Sequence, residues 1–154
     1  MFKLLMTEIS IEDTLIDPIS AVNIDELETS EAGRKAALIC RSAQALKAHD
    51  ITVLDVRGQT IIADFFVLCS GTSTTHIHSI AGHVQDTLRE HGMRAKPEGD
   101  SASLWVVMDY GDTILHVLGE ETREFYDLER LWADANVTAW PEGRERQKTE
   151  DQAD

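Results

Sequence analysis

Residues 61–83 read "IIADFFVLCSGTSTTHIHSIAGH", and the hydrophobic pattern of this stretch changes at Gly71. The run before Gly71 is almost continuously apolar, which is typical of a strand buried on both faces of a sheet. The threonine and serine that follow have the side chains that cap helices. From there the apolar residues recur at helical spacing and form one core-facing stripe. The stretch therefore predicts a central strand at 61–70, joined by a glycine turn to a helix at 73–91.

Three histidines near the start of this helix raise the question of a metal site. His76 and His83 lie on the same flank of the helix but seven residues apart. At about 1.5 Å of rise per residue they are separated by roughly 10 Å, which is too far for two ligands of one metal ion. His78 lies on the opposite flank. The spacing argues against a metal site, and we expect no metal or other cofactor.

Cys69, at the end of the predicted strand, is either a candidate nucleophile or a core thiol. A catalytic cysteine needs a thiolate that is stabilised by a base or by a helix N-terminus. Cys69 precedes a helix, so the catalytic interpretation stays open. The apolar surroundings of Cys69 and Cys40 favour reduced, buried thiols in a cytosolic protein. The hydroxyl-rich segment after Cys69 lacks the glycine pair and the lysine of phosphate-binding loops.

The rest of the chain alternates between strand and helix patterns. A first helix is predicted to begin at Thr29 or Ser30, and the inner stripe of the last helix carries Phe125, Leu128 and Trp132. Short links between neighbouring strands make the sheet at least partly antiparallel, and therefore mixed. We predict an α/β fold, a mixed sheet with flanking helices in the order α-β-β-α-β-β-α. The helices are expected at 29–48, 73–91 and 121–135, and the strands at 51–56, 61–70, 104–110 and 113–118.

Two polar segments flank the predicted domain at 29–140. Residues 1–28 are acidic, contain a proline and have no sustained hydrophobic period. We expect them to form a flexible arm with a short docking element around Leu15 and Ile16. Residues 141–154 are rich in charged side chains and are expected to form a disordered tail.

The composition limits the classes of partner. The chain has 154 residues, enough for one domain, and its 42% hydrophobic and 27% charged residues are ordinary for soluble globular proteins. Its apolar runs are too short to cross a bilayer and its start does not resemble a secretory signal, so a cytoplasmic location is expected. The net charge of -14 disfavours sequence-specific nucleic-acid binding, because phosphate contacts need clustered lysine and arginine. The charge serves solubility or attracts a basic protein, and composition leaves both open.

Acidic residues on or beside the strands allow an enzymatic alternative. Asp55, Asp64 and Asp109 would hold magnesium in a metal-dependent nucleotidyltransferase if they converged on the sheet. No two of them form an Asp-x-Asp pair on one strand face. A non-enzymatic binding protein is therefore preferred, and a homodimeric scaffold is a third class.

Strand alternation favours a docking face. Trp105 and Asp109 point to one side of their strand, and His116 can lie beside them across a hairpin. Together with Asp55 they would form a semi-polar face with a large aromatic anchor, while the other face packs under helices. The alternative, that Trp105 is an ordinary core residue, has equal weight. A second candidate surface is the helix around Arg123, Tyr126 and Glu129.

A set of motifs at unrelated spacings runs through "ADFFVLCSGTSTTHIHSIAGHV" (63–84) and "WVVMDYGDTILHVLGEETREFYDLERLWADA" (105–135). From about residue 34 to residue 135, the chain closely resembles the ribosomal silencing factor family, also called the Iojap-related proteins. The most specific pieces are Asp64-Phe65-Phe66-Val67, Gly71-Thr72-Ser73, Trp105, Asp109-Tyr110-Gly111-Asp112, His116-Val117 and Arg123-x-x-Tyr126-x-Leu128-Glu129-x-Leu131-Trp132.

The resemblance implies a nucleotidyltransferase-like fold without a catalytic carboxylate pair. It further implies binding to the large ribosomal subunit through ribosomal protein fourteen, on the surface that faces the small subunit. A factor bound there blocks subunit joining and lowers translation under nutrient limitation, without enzymatic activity. A homodimer of the free factor is a further expectation.

Two features depart from the family pattern. Gln59-Thr60-Ile61 stands where the family usually has a hydroxyl pair, and the acidic arm is longer than in many members. Neither departure touches the main motifs, but the arm has no role assigned by the resemblance.

Overall fold

The structure, a computed structural model, describes residues 25–141. The predicted docking element at Leu15 and Ile16 lies outside this range, as do the rest of the arm up to residue 24 and residues 142–154 of the tail. A helical turn at 25–27 comes first. The helices are α1 (Glu31–Ala45), α2 (Thr74–Glu90), α3 (Glu120–Tyr126) and α4 (Leu128–Leu131), and the strands are β1 (His49–Asp55), β2 (Phe65–Gly71), β3 (Trp105–Asp109), β4 (Thr113–Gly119) and β5 (Asn136–Ala139).

The five strands form one mixed sheet in the order β3-β4-β2-β1-β5. The central strands β2 and β4 are parallel, and the other three neighbouring pairs are antiparallel. Every residue of β2 is buried, as its continuous apolar sequence predicts for a central strand. The predicted α/β class with a mixed sheet is therefore confirmed.

Helices α1 and α2 pack side by side on one face of the sheet and enclose the main hydrophobic core. Each helix begins at a serine whose hydroxyl accepts a hydrogen bond from a backbone N–H three residues later. Ser30 accepts from Gly33 at 3.0 Å, and Ser73 accepts from His76 at 3.1 Å. The caps predicted from the sequence fix where both helices start. No helix among residues 25–141 is both long and apolar enough to cross a membrane.

Two glycines allow close approaches that a side chain would prevent. A Cβ atom on Gly33 would lie 1.6 Å from the carbonyl oxygen of Leu27, so the helical turn at 25–27 can pack directly on α1. Leu27 is itself buried in the main core, although it falls within the predicted arm at 1–28. A Cβ atom on Gly71 would lie 2.8 Å from the Ile77 side chain, at the joint between β2 and α2.

The predicted last helix at 121–135 is wrong in its extent. The helix breaks at Asp127, which has a left-handed backbone with φ 49° and ψ 59°, and the chain divides into the short helices α3 and α4. Residues 136–139 then form β5, which pairs with β1 at the edge of the sheet and was not predicted. Trp140 follows, buried, with its backbone N–H bonded to the carbonyl of Ile51 at 2.9 Å. The order is therefore longer than predicted by one helix and one strand.

The start of the predicted strand at 61–70 is also wrong. Ile61 is fully exposed and Ile62 is 59% exposed, because the chain joins the sheet only at Phe65. Backbone N–H groups of Asp64 and Phe65 donate to the carbonyl of Asp112, which fixes where β2 begins beside β4. An apolar run in the sequence does not show which of its residues precede the first hydrogen bond between the strands.

Candidate docking surface

Cross-strand register decides which side chains share the face that α1 and α2 do not cover. On the β3–β4 hairpin, Trp105 pairs with Leu118, Val107 with His116, and Asp109 with Ile114. Paired residues project to the same side, so Trp105, Asp109 and His116 lie on one face, as predicted.

The prediction that Asp55 belongs to this face is wrong. Asp55 pairs with Phe65, which pairs with Thr113, and this row faces the helical layer. Burial would by itself raise the pKa of Asp55, but the side chain, backbone N–H and charge of Arg57 together hold that pKa below its usual value. The Arg57 guanidinium donates to both carboxylate oxygens, at 2.9 and 2.8 Å. Asp55 is thus an ion-paired residue on the opposite side of the sheet.

Six aromatic rings run across the uncovered side in an unbroken series of contacts, which we call the aromatic face. Neighbouring ring centroids are 5.3, 5.5, 6.0, 4.9 and 4.9 Å apart, within the range of favourable aromatic pairs. The series extends from a partly buried ring, which packs against a smaller cluster of buried side chains that includes Leu54, Phe66 and Leu68, to an exposed ring on α3. In order, the rings are Trp132, Phe66, His116, Trp105, Tyr126 and Phe125.

Trp105 and His116 are joined within this series by a hydrogen bond. The indole Nε1–H of Trp105 donates to Nδ1 of His116 at 3.1 Å. Burial lowers the pKa of His116 to about 4, so the imidazole is neutral at physiological pH and can accept this bond. A proton on Nδ1 would remove the acceptor. The pair therefore holds both rings in fixed positions as long as His116 is uncharged.

Trp105 is half-buried, so it has features of both predicted alternatives, a docking anchor and an ordinary core residue. Its ring packs within the aromatic face, yet it lies directly against Tyr126, which is 53% exposed. Trp105 is thus a support beneath the exposed rings, and truncating it would disturb their positions as well as any partner contact.

The exposed end of the aromatic face is more apolar than the sequence suggested. Phe125, predicted to lie on a buried stripe, is 79% exposed, and Leu131 on α4 is 71% exposed. The break at Asp127 turns these side chains outward. Large exposed hydrophobic side chains grouped in this way mark interaction sites. The only sequence signal for them was the motif around Arg123, Tyr126 and Glu129.

Arg123 fastens α3 to the sheet beneath this exposed end. One guanidinium nitrogen donates to the carbonyl of Asp50 at 2.7 Å and to the hydroxyl of Ser70 at 3.1 Å. The other donates to Thr52 at 3.1 Å and to the Glu129 carboxylate at 2.6 Å. One side chain thereby joins β1, β2, α3 and α4. Arg123 and Glu129 thus position the exposed rings.

Acidic residues border the aromatic face. A shallow pocket around Arg123 is lined by five carboxylate residues, and Asp109 lies exposed at the end of β3. The Asp109 carboxylate also accepts a hydrogen bond from the backbone of Gly111 at 2.8 Å, which orders the hairpin turn. Exposed rings within a negative border suit a protein surface that is apolar and basic. The five carboxylate residues that line the shallow pocket are Asp50, Glu120, Glu124, Asp127 and Glu129.

His76, one of the three histidines of α2, is used in the fold. His76 Nδ1 accepts from the backbone N–H of Thr72 at 2.9 Å, and its Nε2–H donates to the carbonyl of Leu46 at 2.8 Å. Both ring nitrogens of His76 therefore have partners. Among residues 25–141, no three histidine, cysteine or acidic residues are grouped closely enough to hold a metal ion.

Neither the cysteine nucleophile nor the nucleotidyltransferase alternative has the geometry that its chemistry needs. Cys69 is completely buried, and burial raises the pKa of its thiol to about 12, so it is the core thiol that its surroundings indicated. Asp55 and Asp109, required together by the nucleotidyltransferase alternative with Asp64, lie on opposite faces of the sheet. The three carboxylates do not converge.

The fold and this surface define an α/β scaffold whose aromatic face is exposed at one end, where a partner can dock. The family model "Ribosomal silencing factor during starvation" matches residues 28–154. This chain therefore belongs to the ribosomal silencing factor family, as the sequence motifs indicated.

Relatives in bacteria and organelles agree with this assignment. A ribosomal silencing factor of Bacillus subtilis is 39% identical over 58% of this chain and 76% of its own length. A protein of Mus musculus named for mitochondrial assembly of the ribosomal large subunit is 37% identical over 55% of this chain and 39% of its own length. A solved structure from Chromobacterium violaceum has a TM-score of 0.64 and 30% identity, over 68% of this chain and 88% of that one.

Proposed function

We propose that this chain is a non-enzymatic translation repressor that binds the large ribosomal subunit through ribosomal protein fourteen. The bound factor sterically blocks joining of the small subunit and lowers translation under nutrient limitation. Membership of a silencing-factor family named for starvation supports the role, and the mitochondrial relative's name supports the large subunit as the partner.

The exposed end of the aromatic face is the observation that carries the proposal. Phe125 and Tyr126 offer large apolar area, Glu124 and Glu129 supply carboxylates beside it, and Asp109 lies exposed at the far end of β3 on the same side of the sheet. A ribosomal protein is basic because it lies among phosphates, so it complements this border electrostatically. The same border repels ribosomal RNA, which favours docking on protein rather than on nucleic acid.

Three further properties belong to the same proposal. The scaffold is a nucleotidyltransferase-like fold that has kept the sheet and lost the carboxylate site. The factor acts in the cytoplasm, where ribosomes are. When it is free of the ribosome, two copies pair and shield their exposed rings from water, which gives a homodimer.

Sedimentation tests the proposal directly. Purified chain in excess should migrate with large subunits and reduce the fraction of joined ribosomes. Normal joining at saturating factor would refute the silencing role. Labelled nucleotide incubated with magnesium and the protein should yield no product, which distinguishes the repressor from the nucleotidyltransferase alternative.

Charge reversal tests the docking face. Asp109→Lys should weaken capture of purified ribosomal protein fourteen, because it adds repulsion on the side of the sheet that carries the exposed rings. The matched control is Glu90→Lys, an exposed residue at the end of α2 beside the helical layer. Circular dichroism on both variants checks that they remain folded. Equal capture by folded Asp109→Lys and Glu90→Lys, at low and moderate salt, would exclude this face.

A further inference from the structure

A basic groove lies between α1 and the end of α2. Its volume is about 510 Å³, and its basic rim is formed by Arg34, Lys35 and Arg41. Leu38 and Met93 supply its apolar walls and pack against the main core. The groove is formed by the helices that cover the sheet, whereas the aromatic face lies on the uncovered side. It therefore differs in location and charge from the docking surface described above.

The cations of this groove are only partly engaged by neighbouring groups. Glu28 forms an ion pair with Arg41, and its carbonyl accepts a long 3.4 Å bond from Arg34. Lys35 donates to Asp112 at 2.8 Å. A guanidinium has five N–H donors, so both arginines retain donors for a further carboxylate. Glu28 and Glu31 line the groove as well, and Asp112 neutralises Lys35, so the donors left for an acidic segment are those of Arg34 and Arg41.

The arm contains a segment whose chemistry is complementary to this groove. Residues 8–17 read "EISIEDTLID", with four carboxylates and no lysine or arginine. Its isoleucines and leucine lie between the acidic residues and include Leu15 and Ile16. A segment of this kind can place apolar side chains between Leu38 and Met93 and carboxylates on the arginines. In a chain of net charge -14, few other surfaces would attract an acidic segment.

The first described residues of the chain lie beside the groove. Leu27 is buried against α1, and Glu28, the next residue, lines the groove. Seven residues separate Asp17 from Asp25, and they can reach on the order of 25 Å when extended. The stripe from Glu31 to Arg41 on α1 is about 15 Å long. Attachment at this point keeps residues 8–17 at a high effective concentration near the groove.

We propose that residues 8–17 of the arm bind in the groove between α1 and α2 of the same molecule. The arm then occupies the remaining donors of Arg34 and Arg41 and makes them unavailable to phosphate groups. Because the groove and the aromatic face lie on opposite sides of the sheet, the arm can stay bound while the aromatic face is occupied. The interaction is independent of the proposed ribosomal role.

Paramagnetic broadening in the full chain tests this intramolecular contact. A nitroxide is attached at Thr7→Cys, beyond the segment and far along the chain from residue 25. Cys40 and Cys69 are fully buried, so labelling is selective for the new cysteine. The expected result is a larger loss of NMR signal at Leu38 and Met93 than at Val107 and Leu131, with a smaller difference at high salt.

Two variants and one control make the result decisive. Arg34→Glu with Arg41→Glu should abolish the selective loss, and so should Leu15→Ser with Ile16→Ser, which leaves residues 25–141 unchanged. Arg130→Glu, an exposed arginine on α4, should preserve it. Equal broadening on both faces, or selective loss that survives the change at Leu15 and Ile16, would overturn the proposal. Broadening of an isotope-labelled, nitroxide-free copy by a nitroxide-labelled one would also overturn it, because the arm would then bind a second molecule.

Discussion

The two faces of the sheet are covered in different ways. On one face, α1 and α2 are long, are capped by Ser30 and Ser73, and exclude water from the main core. On the other face, α3 and α4 have seven and four residues and leave large hydrophobic side chains exposed. Helices this short are not stable by themselves and depend on contacts with the sheet. The comparison assigns most of the stability to one face and the proposed docking surface to the other.

The largest expected effect comes from the face under α1 and α2. Leu115 is fully buried in the main core, so Leu115→Ala should lower the free energy of unfolding by about 2–5 kcal/mol. Urea unfolding followed by circular dichroism measures the change. A loss below 1 kcal/mol would mean that this face does not carry the stability, and the contrast between the faces would fail.

A smaller loss is expected from the contacts that hold α3. Arg123→Ala removes four hydrogen bonds to β1, β2 and α4 and should lower the free energy of unfolding by about 1.5–3 kcal/mol. NMR should show the signals of Phe125 and Tyr126 narrowing as α3 becomes more mobile. Arg130→Ala, which changes an exposed arginine on α4, is the matched control and should alter neither quantity. α3 signals that keep the parent's positions and linewidths in Arg123→Ala would show that other contacts hold the helix.

An acid-dependent loss should arise at His116. Its folded pKa of about 4 lies below the ordinary 6.5, so the unfolded chain takes up this proton at a higher pH than the folded protein does. The stabilising contribution is complete above pH 6.5 and is lost progressively as the pH falls towards 4.

The pH test compares the parent with a variant that lacks the His116 imidazole. His116→Gln should flatten the dependence of the unfolding free energy on pH between 6.5 and 4 relative to the parent. Urea unfolding at a series of pH values gives both curves. Identical slopes for the parent and His116→Gln would contradict the neutral, buried state of His116.

The smallest effect on stability is expected at the exposed end of the aromatic face. Phe125→Ala should change the free energy of unfolding by less than about 0.5 kcal/mol, because the side chain is 79% exposed. The same variant should weaken binding to large subunits, with a cost on the order of 2 kcal/mol if Phe125 anchors the contact. Strong destabilisation with intact binding would reverse the roles assigned to the two faces.

The joint between β2 and α2 was predictable because both elements have long, regular patterns. The glycine turn, the serine cap and the apolar stripe of α2 all agree with the structure. The break at Asp127 was not predictable, because an aspartate rarely has a positive φ and nothing local requires it. Strand β5 has four residues, too few for its period to be distinguished from the end of a helix.

The candidate surface was predictable only within one hairpin. The turn links β3 to β4, so the shared face of Trp105 and His116 follows from alternation. Asp55 lies two strands away from that hairpin, and its side depends on a register that alternation within one strand does not define. Phe125 was assigned to the interior because the break at Asp127 was missed.

The late position of β5 in the sequence has a consequence for synthesis. Strand β1 emerges early from the ribosome, but its outer edge is paired only by residues 136–139 and covered by Trp140. Until those residues are available, a growing chain presents unpaired backbone groups that other chains can bind. We therefore expect this protein to be most prone to aggregate after β1 has emerged and before residues 136–140 have, and co-translational binding by a chaperone to be most useful in that interval.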